Sequence, residues 1–224
     1  MRNFIYFIMI AWISCSFISC NDKENNSSDI TGNWNYEKPH FELEYASDSV
    51  SIVMMKGQKK NWAVKDLKAA FLRMANEKMG DYFKGLTILP DNQLSIRMVY
   101  QSGQEDSLRA EYKQSADILQ ITLNKDDLAE LAGAAAAMIP PVSFNYSLHG
   151  NKMTVYFDKA YVSVLYSMMG DKIIPTIVSM MGIDISQLPE AAQKAIINDI
   201  KKQISGILEN TRKLEIGFVV GRTK

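Results

Sequence analysis

Between Leu86 and Leu123 apolar side chains recur at every second residue, and tight polar turns are what break the alternation. Leu94, Ile96 and Met98 alternate with Ser95 and Arg97, and Leu108, Ala110 and Tyr112 alternate with Arg109, Glu111 and Lys113. The stretch from Ile118 to Leu123 follows. Pro90-Asp91-Asn92 and the segment from Ser102 to Asp106 carry the turn signals. A period of two means that one face of each segment is buried and the other wetted. Segments this short, joined by turns this tight, pair with their immediate neighbours and run antiparallel. The stretches Val142 to Leu148 and Lys152 to Phe157, hinged at His149-Gly150-Asn151, repeat the pattern. A meander is therefore the frame of the fold.

Helical spacing fills the gaps. From Trp62 to Phe83 the residues Val64, Leu67, Phe71, Met74, Ala75 and Met79 fall three and four apart, with Lys65, Asp66, Arg73 and Lys78 opposite and Gly85 as the expected stop. A short helix is expected over Asp126 to Ile139, capped by Asp126 or Asp127 and ended by Pro140-Pro141. Asp158 suits the N-cap of a further helix through Tyr161, Val162 and Leu165, which Pro175 kinks or divides. Pro189 opens the last helix, with Ala192, Ile196, Ile200 and Ile204 on one stripe. Ahead of the meander lie a strand at Gly32 to Tyr36 that Pro39 interrupts, a second through Phe41, Leu43 and Tyr45, and a third from Val50 to Met55. Leu214, Ile216, Phe218 and Val220 form the final strand. Pairing the first strand with the last removes two exposed edges at once. The expected fold class is α+β: an antiparallel β-barrel, or a strongly curved meander sheet, with inserted amphipathic helices, in one domain over residues 30–224.

The N-terminus carries an address. One arginine precedes an unbroken apolar run from Phe4 to Ile13, and Ser14-Cys15-Ser16-Phe17-Ile18-Ser19-Cys20 follows. This is the pattern of a secretory signal over residues 1–19, too short for a bilayer-spanning helix. Phe17-Ile18-Ser19-Cys20 resembles the lipobox of bacterial lipoproteins. That resemblance implies a diacylglyceryl group on the Cys20 sulfur and cleavage that makes Cys20 the new N-terminus. Acyl chains at roughly 0.8 kcal/mol per buried methylene would hold such a chain on a membrane. Residues 20–29 then form a tether, since Asn21 to Asp29 contains no apolar residue. Asp22 and Glu24 resemble the acidic export signals of surface lipoproteins in the Bacteroidota, but Lys23 intervenes, which leaves the surface and periplasmic faces both open.

Gly32-Asn33-Trp34 resembles the Gly-x-Trp opening of lipocalins. In that family the tryptophan plugs one barrel end beneath an arginine from the last strand, and Arg222 stands where that arginine would be. More specifically, the chain resembles lipocalin-like lipoproteins of unknown function from the Bacteroidota. The shared order is a Gly-x-Trp-x-Tyr opening, a helical insertion, Gly150-Asn151-Lys152-Met153-Thr154-Val155-Tyr156-Phe157-Asp158 running into a helix, and a closing strand over Leu214 to Val220. The resemblance implies a lipocalin-like barrel closed by Trp34, Phe218 and Arg222, on the outer membrane of the cell envelope. The chain departs from lipocalins proper in carrying at least three helices.

The remaining question is chemistry. Hydrophobic residues make up 47% and charged residues 22%, the balance of a folded globular chain. Lys plus Arg equals Asp plus Glu at 25 each, so no bulk field attracts nucleic acid. Two cysteines and two histidines cannot build a zinc cluster or a disulfide framework. His40, after Pro39, and His149, at a hairpin tip, read as solvated loop residues. Glu42 and Glu44 share a strand face that points to water. No nucleophile and base can be assembled, and no cofactor motif is present, so a non-enzymatic role without a cofactor is expected. Two readings remain. One is a binding module whose small apolar or amphipathic ligand meets Trp34, Tyr36, Tyr45, Phe71 and Met74. The other is an accessory lipoprotein with no small-molecule site, presenting a surface such as Ala129 to Met138 to an envelope protein partner.

Overall fold

Trp34 and Tyr36 face one way from an extended backbone, and five residues later Phe41 faces the same way on the opposite parity. In a computed structural model, which describes residues 29–53, 59–99, 103–132, 141–180, 185 and 188–223, both lie on one strand, β1 (Gly32–Tyr45). Two consecutive exposed residues, Glu37 and Lys38, absorb the change of phase, and Pro39 is buried directly after them. Pro39 was expected to end the strand. Instead it sits where the alternation slips, a position at which a missing ladder donor is tolerated.

The chain divides into two units. The first takes the described residues up to Phe41, Phe71–Asp158 and Glu215–Lys224; the second takes Glu42–Ala70 and Lys159–Leu214.

The frame of the first unit is a closed antiparallel barrel of eight strands: β1, β4 (Phe83–Ile88), β5 (Gln93–Val99), β6 (Glu105–Ser115), β7 (Ile118–Leu123), β8 (Val142–His149), β9 (Lys152–Asp158) and β10 (Thr211–Arg222). Each pairs with the next barrel strand in sequence, and β1 closes the ring between β10 and β4. Closure removes every edge of this sheet. The first and last strands lie side by side, as edge removal required.

Three tight turns sit at one end of the barrel. Asn92 turns the β4–β5 hairpin at φ 63°, and Gly150 turns β8–β9 at φ 61° in a two-residue loop between His149 and Lys152. Ala116 turns β6–β7 at φ 50°, without glycine's freedom. Tyr146 holds that turn. Its hydroxyl donates to the Ala116 carbonyl at 2.7 Å, and its amide donates to the Asp117 carbonyl at 2.8 Å.

Longer connections leave the opposite rim. The helix α1 (Val64–Tyr82) precedes β4, and its second half, from Phe71, belongs to the first unit. There Phe71 stacks on Phe41 at 4.2 Å, Met79 packs against the core, and Gly80 lies against the Tyr36 ring. The helix is shorter than its spacing suggested. Trp62 and Ala63 end β3 (Lys59–Ala63), paired with Val50 and Ser49 of β2 (Ser49–Val53), and Phe83 already belongs to β4. Gly85 is not the helix stop but a strand residue at φ 146° beside a bulge. After β7, α2 (Lys125–Ala132) starts on a different cap from the one expected. The Asn124 side-chain oxygen accepts from the amides of Asp126 and Asp127 at 2.9 and 3.2 Å. The Asp127 carboxylate instead takes the Arg109 guanidinium and backbone amide.

In the second unit the helices α3 (Lys159–Met180) and α4 (Glu190–Asn210) pack through Ile174 and Ile200, with Tyr166, Ile196 and Ile204 around them. α4 opens at Pro189, which holds the N-cap position without a side-chain bond, and α3 continues through Pro175 rather than dividing there. Asp158 closes β9 opposite Glu215, one residue before α3. The Lys159 ammonium donates to the carbonyls of Glu209 and Thr211, where the α4 dipole is negative. The Gln203 side chain bonds both the amide and the carbonyl of Val53, tying the β2–β3 hairpin to α4.

The signal segment, Cys20 and most of the tether lie outside the described residues. So do Met54 and Met55, Ser102, and the alanine-rich stretch from Gly133 to Pro140.

Candidate functional site

The barrel end with the tight turns is sealed. Trp34, Ile88, Leu119, Met153 and Val220 point inward there, each with none of its surface accessible. The Trp34 indole N–H donates to the Ile30 carbonyl at 2.8 Å, which satisfies its one polar atom. The Arg222 guanidinium carbon stands 4.6 Å from the Trp34 ring centroid, and its Nη2 donates to the Asp29 carbonyl at 2.7 Å. A cation over the face of a tryptophan is attracted by the ring quadrupole. Phe218, on the same strand as Arg222, has its ring 4.7 Å from that of Phe83.

Above the plug the wall is apolar and its burial uneven. Leu86, Ala110, Ile121 and Val155 are buried, while Tyr36, Ile96 and Phe144 pack on the same cluster and keep part of their surface accessible. At the sealed end Leu148, beside a hairpin tip, is the exception. An eight-stranded barrel has an interior just wide enough to be filled by side chains or to hold one small ligand.

Tyr36 is the polar feature of this interior. Its ring meets Phe83 edge-on at 5.7 Å, and its hydroxyl oxygen is buried with no hydrogen-bond partner among the described residues. Burial pushes the phenol up to about 12, because the anion would sit in an apolar setting. An unsatisfied buried hydroxyl costs about 1–3 kcal/mol. A ligand with one polar atom at this point would remove that cost.

The five expected lining residues do not converge. Trp34 forms the plug, and Tyr36 packs against Phe83 and Gly80. Phe71 stacks on Phe41, Met74 is 39% exposed, and Tyr45 belongs to the second unit. Helical periodicity identifies a stripe but not which of its members faces a neighbour, and Met74 lies at the margin. Ile96 and Phe144 were legible only as alternating strand residues, with no signal that set them apart.

His40 differs from its reading as a loop residue. It lies within β1, its Nε2 is 2.8 Å from the Glu215 carboxylate of β10, and its ring sits 5.7 Å from Tyr156. His149 is exposed at its hairpin tip. Glu44 is exposed, and Glu42 accepts from the Lys68 ammonium at 2.8 Å. Among the described residues, no three His, Cys, Asp or Glu side chains gather as a metal site, and no helix is long and apolar enough to cross a membrane.

No protein-family model, no curated protein and no solved structure matches this chain.

Proposed function

We propose that this chain is a membrane-tethered binding module, held by lipid on Cys20 at the outer membrane of the cell envelope. It takes one small apolar or amphipathic ligand into its barrel above the Trp34 plug. The order of motifs that resembles the Bacteroidota lipocalin-like lipoproteins supports the tether and the envelope location.

The observation that carries the binding reading is the Tyr36 hydroxyl, buried in a closed apolar barrel without a hydrogen-bond partner among the described residues. Apolar walls supply the affinity, and one placed polar group sets the orientation of the ligand. Partial accessibility at Ile96 and Phe144 supports room on the same side of the plug. This role needs no catalytic group and no cofactor.

The test uses a nitroxide-labelled long-chain fatty acid as the probe, and quenching of Trp34 fluorescence in a Trp62→Phe background. The expected result is saturable one-to-one quenching, weakened about 5- to 10-fold by Tyr36→Phe, the worth of one hydrogen bond. The same substitution raises the urea midpoint of the ligand-free protein, because it removes an unsatisfied buried oxygen. Quenching that never saturates, or that ignores Tyr36, would favour the accessory role with an envelope protein partner and no small-molecule site.

A further inference from the structure

The outer wall of the barrel carries a concavity that reaches the rim, where Met98 and Asp106 join its lining. Backbone register puts Asn35, Gly85, Arg97 and Ser107 in one row across β1, β4, β5 and β6, on the face opposite Leu86 and Ile96. Gly85 has no side chain, and a Cβ there would collide with the Trp34 carbonyl and crowd the Arg97 guanidinium. The missing side chain at Gly85, beside the bulge, lets the Arg97 guanidinium lie across the row. Its Nη2 donates to the Trp34 carbonyl and to the Asn35 side-chain oxygen, while its Nε is buried without a partner among the described residues. The result is an open groove of about 490 Å³, within the range of small-molecule sites.

Its charges are arranged in two pairs. Lys84 and Arg97 supply two cations, and Glu105 and Asp106 supply two carboxylates. No ion pair among the described residues joins either cation to either carboxylate. The cations stand on β4 and β5 and the carboxylates on β6, with the neutral groups of Asn35 on β1 beside Arg97 and of Ser107 on β6 beside Asp106. A simple anion would be attracted by the cations and repelled by the carboxylates, and a simple cation the reverse. A compact molecule carrying both an ammonium and an acidic group satisfies both ends of the groove.

We infer that this groove binds a compact zwitterion, with its acidic group toward Lys84 and Arg97 and its ammonium toward Glu105 and Asp106. The chemistry is shared by phosphoethanolamine as a free molecule and as a lipid headgroup. The assignment does not rest on the interior site.

The test titrates the full chain, stripped of detergent-bound lipid, with O-phosphoethanolamine, inorganic phosphate and ethanolamine, following the backbone amide signals of Asn35, Arg97 and Ser107 by NMR. Phosphoethanolamine is expected to saturate those signals and to bind at least tenfold tighter than either half. Glu105→Gln, at the surface, should weaken it about tenfold while leaving the amide spectrum elsewhere unchanged, and Lys84→Met should weaken it about tenfold with further shifts confined to the neighbourhood of Gly80, whose carbonyl the Lys84 ammonium bonds. Vesicles of phosphatidylcholine with and without phosphatidylethanolamine separate the sources. Retention on the ethanolamine lipid alone, lost in Glu105→Gln, identifies a headgroup; binding of the soluble compound without it identifies a free ligand. Phosphate binding as tightly as phosphoethanolamine, or neither variant changing the affinity, would overturn the inference. So would the absence of any shift with either source.

Discussion

Single side chains set the boundary between the sealed and the accessible parts of the barrel. Trp34 fills its end because its one polar atom is satisfied by Ile30, and Arg222 lies over the ring with a second bond to Asp29. Arg222→Leu removes the cation–π attraction and the hydrogen bond together. The expected loss is about 1–3 kcal/mol of unfolding free energy, read from urea denaturation, with the barrel still formed. Tyr36 acts in the alkaline range. Its phenol titrates near its ordinary value of 10 in the unfolded chain and near 12 in the folded one, so above pH 10 the unfolded chain releases its proton first. Stability due to this group is complete below pH 10 and declines as the pH rises toward 12. Tyr112, also raised by burial, acts in the same direction. Urea midpoints taken from pH 9 to 12 should fall more steeply for the wild type than for Tyr36→Phe. Parallel curves would mean that the hydroxyl is not buried.

At the scale of elements, the meander was legible because its signals are local. Alternation at Leu94, Ile96 and Met98, with a turn at Gly150-Asn151, depends only on near neighbours in the chain. The errors come from long-range partners. Trp62 and Ala63 satisfy helical spacing, but pairing with Val50 and Ser49 draws them into a hairpin. Gly85 looks like a helix stop because the strand bonded to it, β1, begins some fifty residues earlier. Asp127 looks like a cap, yet Arg109 takes its carboxylate and leaves the cap to Asn124. Tyr36 was legible as an inward aromatic, whereas its missing hydrogen bond depends on what surrounds it in three dimensions. Turn chemistry gives a direct check. Ala116 sits at φ 50°, which a Cβ disfavours, while Tyr146 holds the turn in place. Ala116→Gly should therefore stabilise the protein by about 0.5–1 kcal/mol in thermal or urea unfolding. Destabilisation would mean that the turn relaxes out of this conformation.

For the molecule as a whole, the proposal joins a tether to a container. If Cys20 carries the lipid, Cys20→Ser should move the protein from the membrane pellet to the soluble fraction and remove the diacylglyceryl mass, with the fold unchanged by circular dichroism. Retention of the variant in the pellet would point to a different attachment. Closure puts β1 between β10 and β4, and the inward side chains that keep part of their surface accessible include Tyr36, Ile96, Phe144 and Leu148. The most direct measurement is native mass spectrometry of the wild-type protein after gentle extraction, beside Ile96→Trp, which fills the interior. The account predicts one non-covalent small molecule per chain, released on activation, present in the wild type and absent from the filled variant. A wild-type spectrum holding only the chain and its acyl groups, or an adduct that survives in Ile96→Trp, would contradict it.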